Sequence, residues 1–217
     1  MFLKPDAVIF DLDGTLLDTE PVYTAATQAV VGQFGKNFDL PLKKKVVGRD
    51  SRAAAKTVIT ELRLPISVDE FLDLRDPILQ ELLRAAPEIM GAGKFIANLK
   101  AKKCTIGLAT GSPKHLCDIK LSGHDWRNSF DSFIFGDDDR IGAPKPAPDI
   151  YLLSAKEMNV PPRSCLVFED SPSGVEGALA AEMRVIAIDS QYVADGALDK
   201  AHHIIKDYHD ALLQQVC

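Results

Sequence analysis

An α/β fold, built on a parallel sheet and carrying an inserted all-α segment, is predicted by three features of the 217-residue sequence. Short apolar runs rich in β-branched and aromatic residues alternate with longer stretches of helical spacing, the mark of a parallel sheet wrapped by helices. The first run, at 7–10, is separated from the second, at 105–109, by a long stretch that has helical periodicity and no strand signal. A compact sheet does not tolerate a structureless loop of that length, so the stretch reads as an insertion. Acidic, small hydroxyl or basic residues follow the runs. In a Rossmann-like sheet, ligands bind beyond the carboxyl ends of the strands.

Residues 7–10 (Ala-Val-Ile-Phe) form the first predicted strand, and their unbroken apolar character suits burial on both faces. Helices are predicted over 23–34, 51–62 and 68–83, with Pro41, Pro65 and Pro87 punctuating the segment. The chain therefore divides into an α/β core of residues 1–18 and 86–217 and a helical cap of residues 19–85. A helix at 89–102 feeds the strand at 105–109. The helix at 114–121, the strand at 132–135, the helix at 148–158, the strand at 165–168, the helix at 173–181 and the strand at 185–188 follow, with a weak edge strand at 203–205.

A chain of this size buries a sizeable core without disulfides or a structural metal. The formal charge of −6 argues against nucleic acid and anionic membranes as partners, and no apolar run reaches the length of a membrane span. The first residues lack a basic stretch followed by a long apolar run, so no secretory leader is expected and the cytoplasm is the expected location. Cys104, Cys117, Cys165 and Cys217 lie far apart and are expected as reduced thiols.

The residues after each strand carry the chemistry. Asp11, Asp13, Gly14 and Thr15 follow the first, Thr110, Gly111 and Ser112 the second, Asp137 to Asp139 and then Lys145 the third, and Glu169, Asp170 and Ser171 the fourth. These parts suit phosphoryl transfer, which needs charge neutralised and a nucleophile held in line. Asp11, Asp170 and Glu169 are hard oxygen ligands of the kind Mg2+ prefers. Thr110 and the N–H groups of Gly111 and Ser112 are placed to cradle phosphate at a helix start, and Lys145 adds a point charge that also screens the carboxylates. Asp11 suits attack on phosphorus, and Asp13 suits protonation of the leaving oxygen and later deprotonation of water. Their spacing of two puts both on one face of a strand, and a sharp turn at Gly14 aims both into one site.

Asp11-Leu12-Asp13-Gly14-Thr15, then Thr110, then Lys145, then Glu169-Asp170 resemble, in order, the four motifs of the haloacid dehalogenase superfamily. The resemblance spans almost the whole chain and places a helical cap in the matching slot. Residues 142–149 and 167–175 are similar to a sub-group of capped phosphatases and phosphomutases that includes pseudouridine-5'-phosphatase and plant-type glycerol-3-phosphatases. The resemblance implies a Mg2+-dependent hydrolase acting on a small phosphate ester of a sugar, polyol or nucleoside, such as pseudouridine 5'-phosphate. It implies Asp11 as nucleophile and metal ligand, and Asp13 as acid/base binding metal through its main-chain carbonyl. Thr110 and Lys145 would hold the phosphate, and Asp170 would complete the metal site with Glu169 close to it. A monomer is expected, because the cap already closes the site.

Alone, several of these signals have plainer readings. Asp11 to Thr15 is no calcium loop, because its glycine comes too early and Val22 stands where a glutamate is needed. Lys145, between Pro144 and Pro146, would pass for an exposed loop residue without its place between the second and fourth motifs. Asp137 to Asp139 is expected to shape its loop rather than bind metal. Gly91-Ala92-Gly93-Lys94 is not a nucleotide loop, since Glu88 and Phe95 occupy its obligatory positions. The five histidines show no ligand spacing. Arg49, on a glycine-hinged turn of the cap, is expected to reach the substrate. The leading function is a phosphomonoesterase and the alternative is a phosphomutase acting on a substrate such as β-glucose 1-phosphate. A dehalogenase has no need of Asp13, and a non-catalytic binding module has no need of both Asp11 and Lys145.

Overall fold

In the computed structural model, which describes residues 4–47, 49 and 51–216, six parallel strands pair in the order β3-β2-β1-β4-β5-β6. They are β1 (Ala7–Phe10), β2 (Thr105–Ala109), β3 (Ser132–Ile134), β4 (Cys165–Glu169), β5 (Arg184–Ile188) and β6 (His203–Ile205). Successive side chains of a strand point to opposite faces. Val8, Phe10, Leu108 and Phe168 accordingly join one buried cluster with Phe95 and Ile96, while Ile9, Ala109 and Val167 join another with Ile150 and Tyr151. Burial on both faces explains why these strands are apolar throughout.

The helices covering the two faces are α5 (Ala92–Ala101), α6 (Lys114–Leu121), α7 (Asp149–Glu157) and α8 (Pro172–Ala180). Phe10 anchors the first face, stacked on Phe168 at 5.0 Å between ring centroids and meeting Phe95 edge-on at 6.2 Å. Phe10→Ala should therefore lower unfolding free energy by about 3–5 kcal/mol. Urea titration followed by circular dichroism measures this, and a loss under about 1 kcal/mol would show that the site collapses around the missing ring.

Between β1 and β2 the chain forms α1 (Glu20–Gly32), α2 (Leu40–Lys44), α3 (Ser51–Leu62) and α4 (Val68–Leu83). These helices bury a cluster of their own, in which Val30, Val31, Phe38, Val58 and Phe71 meet. Ser67 and Glu70 form a reciprocal capping box at the start of α4. The segments leaving and re-entering the core run side by side, with Asp18 N–H bonded to Pro87 O at 2.8 Å and Ile89 N–H to Leu16 O at 2.9 Å.

The observed elements depart from the sequence-predicted ones mainly at their ends. α1 begins at Glu20 because Pro21 presets the first helical turn and Glu20 favours its positive end. α5 begins only at Ala92 because Gly91 adopts a left-handed φ of 85°. The five-residue α2 is too short for its periodicity to show, and Asp39 caps it by accepting from Leu42 N–H at 3.0 Å. Cys117 and Cys165 are buried free thiols. Cys104 departs from the expectation of reduced thiols, since it is disulfide-bonded, a pairing that depends on chain proximity in the fold and not on sequence spacing.

Candidate active site

Asp11 stands at the carboxyl end of the central strand, its N–H bonded to Phe168 O at 3.0 Å across β1 and β4. Lys145, from the loop between β3 and α7, donates from Nζ to Asp11 Oδ1 and to Glu169 Oε1, each at 2.6 Å, and to Ala109 O at 3.3 Å. Three strand ends thus converge on one ammonium group. The Lys145 Nζ also lies 5.1 Å from the ring centre of Tyr151. Burial alone would depress its pKa, but Asp11 and Glu169 hold it well above the ordinary lysine range.

Glu169 is fully buried, and its carboxylate is filled. Oε1 accepts from Lys145 and, at 2.8 Å, from Tyr151 Oη. Oε2 accepts from the N–H groups of Asp170 and Ser171 and from Ser171 Oγ. A carboxylate offers about four lone-pair directions, so none is left for a metal. Despite the opposing effect of burial, Lys145 and these donors hold its pKa below the ordinary glutamate range. Glu169, expected close to the metal site, stands at the end of β4 next to Asp170, and its filled carboxylate leaves no lone pair for an ion.

Asp170 behaves oppositely. Its side chain makes no hydrogen bond to any described residue and packs against Gly14, where an added Cβ would lie 2.0 Å from Asp170 Oδ2. Gly14 also has a φ of 75°, so both conformation and clearance demand glycine there. Burial, then the charges of Glu169 and Asp11, push the Asp170 carboxyl well above its ordinary range. Burial likewise raises Asp11 to about 7, Glu169 and Asp13 adding to the rise and Lys145 opposing it. Two crowded oxygen ligands with raised pKa values fit a hard divalent cation, which would lower both. Among the described residues no three acidic, His or Cys side chains are grouped as a metal site. Mg2+ is commonly bound by one or two carboxylates and keeps several waters, so such a pair would suffice to hold it.

Asp13 is held apart from this pair by a partner that sequence reading missed. Lys120 Nζ, completely enclosed, donates to both Asp13 oxygens at 2.7 Å and to Ser112 Oγ at 2.8 Å. Ser112 Oγ donates to Asp13 Oδ2 and Thr19 Oγ1 to Asp13 Oδ1. Although burial opposes it, the Lys120 charge with these hydrogen bonds keeps Asp13 below the usual aspartate range. The sequence signal for Lys120 was a lone lysine on the buried face of α6, beside Cys117 and Leu121. Tyr151 likewise stood on the buried face of α7, and Arg75 lay in line with Phe71, Leu79 and Leu83 on α4.

The site forms the floor of a cavity of about 830 Å3, into which Asp11, Asp13, Lys145 and Asp170 face. Thr110 is buried, with Oγ1 accepting from Ser112 N–H at 3.1 Å, and Gly111 lines the wall as an exposed residue. Of the expected phosphate cradle, the Ser112 N–H is thus taken by Thr110, and the Ser112 hydroxyl is engaged by Asp13 and Lys120. From the helical insertion come Tyr23, Lys43, Arg49 and Arg75. Arg49 is exposed at the cavity wall and donates to Thr57 Oγ1 at 3.4 Å, while its neighbours Gly48 and Asp50 lie outside the described residues. Asp137 accepts from Lys114 N–H at the start of α6, and Asp138 pairs with Arg140, so this acidic run shapes its loop.

A family model described as haloacid dehalogenase-like hydrolase matches residues 5–182. The chain belongs to this hydrolase family. Among relatives of the hydrolase, (DL)-glycerol-3-phosphatase 2 of Arabidopsis thaliana is 36% identical over 92% of this chain and 84% of that one. A Drosophila melanogaster protein provisionally named pseudouridine-5'-phosphatase is 33% identical over 93% of this chain and 89% of its own length. A Thermotoga maritima crystal structure bearing the provisional name beta-phosphoglucomutase superposes with a TM-score of 0.80 at 30% identity, covering 94% of both chains. The hydrolase thus has relatives named as phosphatases and a structural neighbour named as a phosphomutase, the two activities of the sub-group that its motifs resemble.

Proposed function

We propose that this hydrolase is a Mg2+-dependent phosphomonoesterase for a small phosphorylated sugar, polyol or nucleoside, working through a phosphoryl group carried on Asp11. The observation that supports this reading best is the Lys145 ammonium, 2.6 Å from Asp11 Oδ1, on the floor of a cavity that also presents Asp13. A volume of about 830 Å3 suits a small ester, and the relatives are named for such substrates.

In this reading Asp11 and Asp170, with the main-chain carbonyl of Asp13, hold the Mg2+, which when bound neutralises phosphate charge and lowers both carboxyl pKa values. An Asp11 carboxylate oxygen attacks phosphorus in line and the bond to the ester oxygen breaks; Asp13, ionised in the free enzyme, takes the proton of the bound phosphate monoanion and passes it to that oxygen. Water then attacks the same phosphorus, the bond to Asp11 breaks, and Asp13 takes the proton of the water. Lys145 stabilises the charge on the transferring oxygens, while Thr110 and the Gly111 backbone define their seat. The filled carboxylate of Glu169 fixes Lys145 and the Asp170 loop. Helices α1 to α4 serve as the cap, and Arg49 and Arg75 read the part of the substrate beyond the phosphate.

A hydrolysis screen over sugar, polyol and nucleoside monophosphates with magnesium chloride tests the reading, and no phosphate release from any of them would refute it. The T. maritima likeness favours a second reading, a phosphomutase on the same site. Sugar isomer formed without net phosphate release would select it.

Magnesium affinity provides a further prediction. Asp11 and Asp170 are both raised above the ordinary aspartate range in the metal-free protein, so a bound metal must displace protons as pH falls. The Mg2+ concentration needed for half-maximal binding should therefore rise steadily from pH 8 to pH 6. Calorimetric titrations at pH 6, 7 and 8 measure this, and a flat profile contradicts it.

A further inference from the structure

Lys120 lies outside every motif that led to the site, yet no lysine on α6 is more deeply enclosed. We propose that Lys120 is a positioning residue for the acid/base step, holding the Asp13 carboxylate in the orientation that faces the cavity. This inference rests on the phosphatase reading above.

The geometry supporting it is specific. Nζ donates to Asp13 Oδ1 and Oδ2 at 2.7 Å each, so the ammonium sits on the bisector of the carboxylate and fixes its plane. A third bond, to Ser112 Oγ, ties Lys120 to the loop after β2, and that hydroxyl in turn donates to Asp13 Oδ2. Lys120 has no side-chain exposure, whereas the Asp13 side chain keeps 27% of its surface and lines the cavity. One side of the carboxylate is thus clamped and the other is open to a substrate. Thr19 Oγ1, from the segment where the chain leaves the core, completes the clamp.

A purely structural role explains this arrangement poorly. Taking an ammonium out of water is costly, and replacing a buried ion pair by apolar residues is often neutral or stabilising. The face of α6 that carries Lys120 is otherwise lined by Cys117 and Leu121, where methionine or leucine would pack at less cost. The two lysines of the site also serve separate tasks. Lys145 binds Asp11 and Glu169, and Lys120 binds Asp13, so the attacking group and the proton carrier are oriented independently.

The test uses p-nitrophenyl phosphate with magnesium chloride and compares wild type, Lys120→Met, Asp13→Asn and the double variant. Nitrophenolate leaves without needing a proton, so only the second step, attack of water on phosphorylated Asp11, requires Asp13. Lys120→Met should keep a stoichiometric burst of nitrophenolate and an unchanged KM for formation of the phosphorylated enzyme, while steady-state kcat falls about 10²-fold. The double variant should be no slower than Asp13→Asn alone, and Lys120→Arg should recover part of the loss. A kcat for Lys120→Met within about twofold of wild type, a burst lost in step with turnover, or losses that multiply in the double variant would each overturn the proposal. If Lys120→Met does not fold, the charge-neutral double variant against Asp13→Asn still decides it, because any further loss of kcat counts against Lys120. Wild-type protein with no magnesium-dependent turnover here or in the ester screen would overturn the phosphatase reading, and this inference with it.

Discussion

Asp11→Asn is expected to lower kcat by at least about 10⁴-fold while leaving the fold intact, because the substitution removes the attacking atom and little else. The amide has the shape of the carboxylate, and its oxygen can still accept from Lys145, which now lies 2.6 Å from Asp11 Oδ1. Stability should not suffer. The wild-type carboxyl is raised to about 7 by burial and by the charges of Glu169 and Asp13, so its ionised form is disfavoured in the fold. Replacing it by a neutral group relieves a cost that builds as pH rises from about 4, where the unfolded carboxyl ionises, to about 7, and that is absent below this window. Two measurements check the expectation: steady-state phosphate release, and mass spectrometry of acid-quenched enzyme for a phosphoryl group on the peptide containing Asp11. Turnover persisting in the variant, or a phosphoryl group trapped elsewhere, would displace Asp11 from the mechanism.

Lys145→Met should be nearly as damaging to activity and far more damaging to the fold. The ammonium is the only cation paired with Asp11 and Glu169 among the described residues, and both partners are buried. Removing one member of such a buried pair costs about 3–5 kcal/mol. The loss should depend on pH in a definite direction. Without Lys145, the Asp11 and Glu169 carboxyls are held above their unfolded pKa values by burial and by one another, so the folded variant binds more protons than the unfolded chain. Its stability must then fall as pH rises from about 5 to 8. Added magnesium should restore part of that stability without restoring turnover, because a cation held by Asp11 and Asp170 would offset the charge but would not replace the Lys145 donor to the transferring oxygens. Urea titrations at several pH values, with and without magnesium, test both parts. Stability that rises with pH in the variant would show that Lys145 is not what holds Glu169 ionised.

The parts of the molecule legible in the sequence are those whose physics is local. The strands at 7–10, 105–109 and 203–205 coincide with β1, β2 and β6, since a short apolar run bounded by polar turns has few other ways to be buried. Helices α3, α4 and α6 also coincide with the predicted ranges, where apolar spacing and, for α4, the Ser67–Glu70 cap agree. The gathering of Asp11, Asp13, Thr110, Lys145, Glu169 and Asp170 at one edge followed from their places after parallel strands, because such strands all end on the same side. Residues whose role depends on a contact between elements were not legible. Lys120 and Arg75 read as charges on apolar helix faces, a conflict that could have been flagged but not interpreted without knowing what packs against those faces.

The sequence by itself therefore determined which residues gather beyond the strand ends and the family whose motifs they match, through strand spacing and side-chain type alone. Only the tertiary structure decided how the surroundings of the carboxylates differ. Glu169 and Asp170 are adjacent in sequence and nearly identical in chemistry, yet one is filled by donors from Lys145, Tyr151 and its own loop while the other has none among the described residues. Asp13, two residues from Asp11, is taken by a lysine more than a hundred positions away. The reason is that an acid's protonation and ligand capacity depend on burial and on the charges within a few ångströms, and those neighbours come from separate strands and helices.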